Sequence, residues 1–258
     1  MKAVILAGGR GTRLSEETDL KPKPMSEIGG MPILWHIMKV YSFYGVNEFI
    51  ILAGYKSYFI KEFFQNYHLY KSSMEFDLGS ASRKIIGKLD ARWNVKVLDT
   101  GLDTLTGGRI LRAKKIIGNN EFFLTYGDCI SNVNIKKLYN FHKRHKKIAT
   151  LTGIVQPGRY GSLSLDGTKI SSFSEKPIIK DNLINGGYFV FNNKIFNYLK
   201  NDQTILEREP LSKLAKKNNL YCYKHDGFWH PMDTLKDKRT LDEMWLKNKA
   251  PWKKLIMS

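Results

Sequence analysis

The sequence predicts an α/β fold with a mainly parallel, doubly wound, Rossmann-like sheet and a small antiparallel β insert. Up to about residue 150, short continuous apolar runs alternate with segments whose apolar residues recur at helical spacing. Continuous apolar runs are typical of strands that are buried on both faces, as in a parallel sheet covered by helices. Beyond residue 150, shorter apolar runs are separated by turn residues. We therefore expect one domain over residues 1–258, with a first half at 1–150 and a second half at 151–258.

Each element of the first half follows from a local pattern. Strands are predicted at 3–7, 49–53, 95–98 and 122–126, and helices at 32–45, 57–66, 106–117 and 135–145. Pro32 suits the first turn of a helix, and Gly45 suits its C-terminal end. Between them, the spacing of Ile33, Ile37 and Tyr41 places apolar side chains on one helix face.

The second half predicts short strands and two helices. The strands are expected at 149–155, 161–165, 169–173 and 188–191, and the helices at 207–217 and 241–247. Asp166-Gly167 is a typical hairpin turn, so these strands form either an antiparallel insert or an extension of the main sheet. The segment 67–93 has no clear pattern, and we expect it to serve oligomer contacts or to act as a lid.

Composition narrows the classes of function. Hydrophobic residues make up 42% of the 258 residues, which is enough for a core, and the formal net charge is +18. The lysines are spread along the chain rather than gathered in one patch, so we expect no nucleic-acid partner but an attraction for anionic substrates. No apolar run is long enough to span a membrane, so we expect a cytoplasmic protein with no membrane partner. The two cysteines, Cys129 and Cys222, form neither a disulfide framework nor a metal-binding motif.

A glycine-rich, basic turn follows the first predicted strand directly. Residues 8–13 are Gly-Gly-Arg-Gly-Thr-Arg, and a Lys-Pro-Met run follows at 23–25. Such a turn brings backbone N–H groups and cationic side chains to the carboxyl end of a strand, where open α/β sheets bind ligands. A P-loop is excluded because no Gly-Lys-Ser/Thr follows, and a dinucleotide fingerprint would need a third glycine. The turn therefore indicates a polyphosphate site, and a simple tight turn is the alternative.

These motifs resemble the signature of the sugar-1-phosphate nucleotidyltransferases, and in particular of the glucose-1-phosphate cytidylyltransferase branch. The resemblance covers nearly the whole chain. Its further matches lie at residues 21–25, 32–38, 99–101, 106–109, 125–128, 227–229, 231–234 and 250–253. It implies the reaction of CTP with α-D-glucose 1-phosphate to give CDP-glucose and pyrophosphate, with Mg²⁺ as cofactor. It also implies that residues 1–150 bind the nucleotide, that 151–258 bind the sugar phosphate, and that the protein is a homo-oligomer.

The resemblance assigns the catalytic and nucleotide-binding residues. Arg13 is expected to contact the leaving β- and γ-phosphates, and Lys23 to contact the region of the α-phosphate. The reaction needs no protein nucleophile, so catalysis consists of positioning and of neutralising charge. The nucleotide-binding set comprises Leu6, Ala7, Gly8, Gly9, Arg10, Gly11, Thr12, Arg13, Lys23, Thr104, Arg109 and Gly127.

Two aspartates are the expected metal ligands. By resemblance, Asp128 and Asp233 hold Mg²⁺ between the phosphates and complete the catalytic set. Each also has a structural alternative: Asp128 as a turn or cap residue, and Asp233 as the N-cap of the helix after Thr234. The residues alone do not show that the two carboxylates meet.

The base and sugar ends are also assigned by resemblance. Arg109, with Thr104, is expected to bind cytosine, whose O2 and N3 accept hydrogen bonds that an arginine can donate. Glu175, Lys176, Asn185 and Gly186 form the expected sugar-phosphate site. The structural alternatives are a solvated Arg109, an exposed strand end at 175–177 and a hairpin turn at 185–187.

Three departures from the branch pattern leave the substrate open. Cys129 replaces a glycine, Asn132 replaces an aspartate, and His230 replaces a glutamine. They flank the expected metal site, so nucleotidyl transfer stands, but UTP or dTTP, or another sugar 1-phosphate, remains an alternative. A non-catalytic nucleotide-sensing or nucleic-acid-binding protein is disfavoured because Lys23, Asp128 and Asp233 are all present. A GT-A glycosyltransferase is disfavoured because no convincing Asp-x-Asp motif ends a strand.

Overall fold

The computed structural model describes residues 1–11, 20–89, 91–155, 162–174 and 183–257. Its strands are β1 (Lys2–Ala7), β2 (Glu27–Ile28), β3 (Met31–Pro32), β4 (Glu48–Ala53), β5 (Ser73–Asp77), β6 (Ser82–Ile86), β7 (Asn94–Asp99), β8 (Phe122–Tyr126), β9 (Cys129–Ser131), β10 (Ala149–Val155), β11 (Ser162–Asp166), β12 (Lys169–Ser174), β13 (Leu183–Phe191), β14 (Leu220–His225) and β15 (Trp229–Pro231). Its α-helices are α1 (Ile33–Phe43), α2 (Ser57–Gln65), α3 (Tyr67–Lys71), α4 (Thr106–Arg112), α5 (Lys114–Ile117), α6 (Ile135–His145), α7 (Glu209–Lys216), α8 (Leu235–Leu246) and α9 (Lys253–Met257). Short 3₁₀ helices cover Lys23–Met25 and Asn193–Tyr198. Within the described ranges, no helix is both long and apolar enough to cross a membrane.

A seven-stranded sheet in the order β14-β10-β13-β8-β1-β4-β7 runs through both halves of the chain. The pairs β1–β4, β1–β8, β4–β7 and β10–β14 are parallel, whereas β13 is antiparallel to both of its neighbours. The predicted α/β class with a mainly parallel sheet is confirmed. Two strands expected in the second half, β10 and β13, extend this main sheet, and the separate antiparallel piece is the hairpin β11–β12.

The inner strands β1, β4 and β8 are buried on both faces, as their continuous apolar runs predict, whereas the edge strands β7 and β14 are partly exposed. Ala3, Ile5 and Ala7 of β1 face the core that contains α1. Val4 and Leu6 face the opposite core, which contains residues of α4, α5 and α7. Because successive side chains of a strand point to opposite faces, a half-buried strand would have alternated apolar and polar residues here.

The C-terminal segment packs against α1 around one buried histidine. The Trp252 indole Nε1–H donates to His36 Nδ1 over 3.3 Å, and His36 Nε2 lies 2.8 Å from the Ile28 carbonyl oxygen. Nδ1 accepts, so Nε2 carries the proton and the ring is neutral. The ring of Trp245 packs edge-on against the same imidazole, with centroids 4.6 Å apart. Burial lowers the pKa of His36 to about 4.

Several helix boundaries differ from the prediction for local reasons. The predicted helix at 106–117 is two helices, because the chain tightens at Ala113, whose N–H bonds back to both Arg109 and Ile110. Helix α8 begins six residues before the predicted start at 241 because Thr234 caps it, in a capping box with Asp237. Its first turn is polar, so apolar periodicity could not reveal it.

The segment that lacked a pattern forms α3 and the exposed hairpin β5–β6. Large apolar side chains at its surface include Phe76, Leu78 and Ile86. An isolated two-stranded hairpin is only marginally stable in water, so contact with another surface would stabilise it. The expected role of this segment in oligomer contacts or as a lid stays a prediction.

We expect the free energy of unfolding to fall as the pH falls from 7 to 5. Burial lowers the pKa of both His36 and His142 to about 4, against about 6.5 for an unfolded histidine. Below about pH 6.5 the unfolded chain therefore binds more protons than the native protein, and stability is lost. Linkage gives about 2 kcal/mol for each histidine between pH 7 and pH 5. Urea unfolding at the two pH values measures it.

The control is a pair of matched variants. His36→Gln should show a shallower loss of stability between pH 7 and pH 5 than the wild type. His68→Gln, on the short helix α3, should show the wild-type loss. A wild-type protein equally stable at both pH values would contradict the assignment of buried neutral histidines.

Candidate active site

A cavity of about 520 Å³ opens at the carboxyl ends of β1, β7 and β8. Its wall is formed by the glycine bend at 6–11, by Lys23 and Pro24, by the loop 102–106 with Arg109, and by residues 126–128. The nucleotide-binding residues predicted within the described ranges all line it. The glycine bend and Asp128 therefore share one cavity, as the proposed phosphate site requires.

Lys23 joins the two predicted metal ligands. Its Nζ lies 2.7 Å from Asp128 Oδ2 and 2.7 Å from Asp233 Oδ1. The Lys23 side chain is only 7% exposed, and it starts from the 3₁₀ turn that includes Pro24. Burial alone would lower the pKa of Lys23, but the ion pairs with Asp128 and Asp233 raise it above the ordinary value. The ammonium group is therefore firmly charged and bound between two carboxylates.

A short strand pair brings the two aspartates together. Asp128 lies in the turn between β8 and β9, and β9 pairs antiparallel with β15. The Met232 N–H donates to the Asp128 carbonyl oxygen over 2.8 Å, which extends this pairing up to Asp233. The cap of α8 is Thr234, so the alternative role of Asp233 as an N-cap is wrong. The meeting of the carboxylates follows from pairing between distant segments, which the local sequence does not reveal.

Arg109 is buried behind the glycine bend, where it donates to carbonyl oxygens of three strand ends. Its Nη1 donates to the carbonyl oxygens of Ala53 and Gly101 and to the Thr100 side-chain hydroxyl. Its Nη2 donates to the carbonyl oxygens of Gly8 and Leu102. These distances run from 2.6 to 3.2 Å. Burial and the neighbouring Arg112 lower the pKa of Arg109. The guanidinium group thus ties the ends of β1, β4 and β7 together and adds positive charge to the cavity wall.

The same guanidinium group explains two glycines. A Cβ on Gly8 would lie 2.2 Å from Arg109 Nη1, and one on Gly54 would lie 2.5 Å from it. A Cβ on Gly9 would meet nothing within 4 Å. Gly11 has φ +67°, in the left-handed region that favours glycine. The bend therefore needs glycine at Gly8 for packing and at Gly11 for its backbone conformation.

The predicted sugar end adjoins Tyr126 of the matched run 125–128 and Glu207, which no motif indicated. Asn185 Nδ2 lies 3.4 Å from the Tyr126 hydroxyl, which donates to Glu207 Oε1. The Thr106 hydroxyl donates to the other Glu207 oxygen over 2.7 Å. Asn185 and Gly186 lie inside β13, so the alternative of a hairpin turn there is wrong. Tyr126 and Glu207 connect the α4 side of the cavity to the Asn185 side. Tyr126 lies in the matched run 125–128, whereas no motif marked Glu207.

The remaining predicted residues fall into two groups. Arg10 is exposed and forms an ion pair of 3.3 Å with Asp103, whereas Thr104 is buried in the cavity wall. Four of the predicted residues, Thr12, Arg13, Glu175 and Lys176, lie outside the described residues. Their roles stay predictions.

The three departures occupy different surroundings. Cys129 is buried, and burial together with Asp128 and Asp233 raises the pKa of its thiol well above the usual range. His230 lies in β15, where its Nδ1 is 2.7 Å from the Pro231 carbonyl oxygen. The Asn132 side-chain oxygen is buried and has no hydrogen-bond partner among the described residues. Because its raised pKa keeps the thiol protonated, Cys129 is neither a nucleophile nor a metal ligand.

The donor set suits magnesium that arrives with phosphate. Within the described ranges, no group of three or more His, Cys, Asp or Glu side chains could hold a metal ion. Asp128 and Asp233 already bind one cation between them, and Mg²⁺ is usually held by one or two carboxylates with substrate phosphates and water. The two aspartates beside the cavity therefore fit this ion.

Comparisons with known proteins agree with this geometry. The sequence profile of the nucleotidyl transferase family matches residues 2–237. A glucose-1-phosphate cytidylyltransferase of Salmonella typhi is 51% identical over 254 residues, covering 98% of this chain and 99% of that protein. A probable glucose-1-phosphate cytidylyltransferase of Bacillus subtilis is 46% identical with the same coverage. The crystal structure of HddC from Yersinia pseudotuberculosis superposes with a TM-score of 0.69 at 25% identity, covering 95% of this chain and 99% of that one.

Gly8→Ala should destabilise the protein, whereas Gly9→Ala should not. The added methyl group at Gly8 must displace the Arg109 guanidinium from several buried carbonyl oxygens. Buried groups left unpaired cost about 1–3 kcal/mol each, so we expect a loss of at least about 2 kcal/mol. Gly9→Ala meets open space and should stay within about 0.5 kcal/mol of the wild type. Urea unfolding measures both, and equal losses would show that Arg109 does not constrain the bend.

Proposed function

The chain belongs to the nucleotidyl transferase family, and we propose that it makes CDP-glucose and pyrophosphate from CTP and α-D-glucose 1-phosphate. The observation that carries this proposal is the contact of Lys23 with Asp128 and Asp233, beside the cavity that the glycine bend lines. That arrangement concentrates cationic groups and metal ligands where a triphosphate would lie. The names of the two cytidylyltransferase relatives supply the choice of CTP and glucose.

The reaction is an in-line attack of the sugar phosphate oxygen on the α-phosphorus of CTP. Two anions must approach each other, so the site has to orient them and offset their charge. The Cys129 thiol beside Asp128 does not serve as a nucleophile, since it is buried and its raised pKa keeps it protonated. When bound by Asp128 and Asp233, Mg²⁺ would neutralise charge on the phosphates.

The glycine bend and Lys23 orient the triphosphate. Backbone N–H groups of residues 8–11 lie along the cavity wall, where Cβ atoms are absent at three of the four positions. Lys23 donates to phosphate oxygens as a point charge, and the buried charge of Arg109 lies just behind the bend. Arg13 extends this cationic set to the leaving phosphates. The protein thereby stabilises negative charge that builds up on the phosphates during transfer.

The base and the sugar lie at opposite ends of this arrangement. Thr104 and Arg109 line the cavity wall at the end assigned to cytosine. Asn185 and Gly186 in β13 are assigned to the sugar phosphate. Glu175 and Lys176 are proposed to bind the same phosphate. Tyr126 connects the two ends because it lines the cavity and contacts Asn185.

The wider setting is part of the same proposal. The protein acts in the cytoplasm as a homo-oligomer, with no nucleic-acid or membrane partner. The exposed apolar side chains of the hairpin β5–β6 support the oligomer. A second candidate function is the same transfer with UTP, dTTP or another sugar 1-phosphate. The observation in its favour is that Cys129, Asn132 and His230, which flank the aspartates, depart from the pattern of the cytidylyltransferase branch.

The purified protein should release pyrophosphate fastest with CTP and glucose 1-phosphate. The assay combines Mg²⁺, each of the four nucleoside triphosphates and a panel of sugar 1-phosphates. Family membership predicts turnover with at least one pair. A higher kcat/KM for a different nucleotide or sugar would replace the named substrates. The absence of pyrophosphate with every pair would reject nucleotidyl transfer itself.

The control for this assay is Asp128→Ala. It should lower turnover by at least ~10³-fold, because losing a metal ligand and a partner of Lys23 removes about 4 kcal/mol of charge stabilisation. Thermal unfolding checks that the variant is folded. A folded variant with near wild-type turnover in Mg²⁺ would remove Asp128 from the metal site.

Arg109→Ala should weaken the discrimination of CTP against UTP. An arginine donor distinguishes the acceptors of cytosine from the N3–H of uracil, and a lost specific hydrogen bond costs about 1 kcal/mol or more. The measurement is the ratio of kcat/KM for CTP and UTP, with Arg109→Lys as a variant that keeps the charge. Because Arg109 is buried, unfolding of each variant is measured in parallel. Unchanged selectivity in a folded variant would leave Arg109 with its backbone contacts alone.

A further inference from the structure

Lys23 occupies the place between the two carboxylates that a metal ion would take. Its Nζ is 2.7 Å from an oxygen of each aspartate, so these two oxygens are no further apart than twice that distance. Mg²⁺ binds oxygen at about 2.0–2.1 Å. A small closing movement of the carboxylates would therefore let one divalent cation replace the ammonium group. Both cations cannot contact the same two oxygens at once, because their like charges would lie too close.

The surroundings of Lys23 make this exchange costly for a metal ion alone. The side chain is 7% exposed, whereas those of Asp128 and Asp233 are 35% and 18% exposed. Displacing the ammonium group would leave a buried charge without its partners, which is strongly unfavourable. The described residues also offer no third His, Cys, Asp or Glu side chain for the metal. Free metal therefore gains few ligands while Lys23 loses two.

A triphosphate removes this cost. Lys23 and Asp128 both line the cavity with the glycine bend, so phosphate oxygens placed there would accept hydrogen bonds from a displaced Lys23. The same phosphates would supply the metal with the oxygen ligands that the protein lacks. Binding of the metal together with the nucleotide is thus favourable, whereas binding of the metal alone is not.

We propose that Lys23 is an internal cation that holds Asp128 and Asp233 and keeps free divalent metal out until the nucleotide brings it. The inference rests on the proposed function, because it takes these aspartates as the metal site. It adds a role for Lys23 in the nucleotide-free protein, distinct from its contact with phosphate. Its consequence is that removing the charge of Lys23 makes the free protein bind metal more tightly.

The test measures Mn²⁺ binding to nucleotide-free protein, by the electron paramagnetic resonance signal of unbound Mn²⁺. Lys23→Met should bind Mn²⁺ at least about tenfold more tightly than the wild type, since the charge of Lys23 then no longer offsets that of the two carboxylates. Lys23→Gln, which keeps a polar side chain, serves as a second variant if the first does not fold. Lys23→Arg keeps the positive charge and should bind Mn²⁺ as weakly as the wild type.

Lys21→Met is the matched control. Lys21 lies two residues away and also forms a 2.7 Å ion pair, but with Glu27 at the surface. This variant should leave Mn²⁺ affinity unchanged. Adding Asp128→Asn to Lys23→Met should abolish the gain, because it removes one carboxylate of the pair.

Two results would overturn the inference. A folded Lys23→Met or Lys23→Gln variant that binds Mn²⁺ no more tightly than the wild type would show that Lys23 does not exclude metal. A gain that survives Asp128→Asn would show that the metal binds elsewhere. Pyrophosphate release by the wild type tests the proposed function separately, because the Mn²⁺ titration contains no nucleotide and needs no turnover.

Discussion

The active site is held together by the two ion pairs through which Lys23 joins Asp128 and Asp233. Each residue comes from a different part of the chain: the turn after the glycine bend, the end of β8 and the start of α8. Two carboxylates placed this close repel each other unless a cation lies between them. The ammonium group therefore stabilises the pair of carboxylates in the substrate-free protein. Under the proposed function, the same charge would also bind phosphate, so that one side chain would serve both the folded protein and the reaction.

A second buried cation shapes the cavity from behind. Arg109 contacts backbone oxygens at the ends of β1, β4 and β7 rather than a carboxylate. Its charge is therefore spread over carbonyl dipoles, and part of the positive field still reaches the cavity. The contact with its carbonyl oxygen also fixes the position of Gly8 within the bend. The bend is thus positioned by a side chain far along the sequence, in addition to its own glycines.

The sequence predicted the inner strands well because they are buried on both faces, but it did not predict the partly exposed edge strand β14. Continuous apolar runs marked β1, β4, β7 and β8 to within one or two residues. Local patterns failed where a polar contact sets a boundary, as with the cap at Thr234, or where a strand contains glycines, as β13 does at Gly186. Most partners of Arg109 could not be predicted, because all but the Thr100 hydroxyl are backbone oxygens that no residue type marks. The proximity of Asp128 and Asp233 was available only by resemblance, since it depends on pairing between β9 and β15.

The position of Asp233 makes the site depend on the C-terminal segment. Asp233 follows β15 directly and precedes the capped start of α8, so both elements restrict where its carboxylate can lie. Helix α8 is in turn anchored near its end, where Trp245 packs with Trp252 around the buried His36 of α1. Helix α1 follows the short strand pair β2–β3, which comes directly after the 3₁₀ turn that carries Lys23. The packing of Trp252 on α1 therefore connects the two segments that supply Lys23 and Asp233. A contact between the C-terminal segment and α1 thus helps to set the spacing of Lys23 and Asp233.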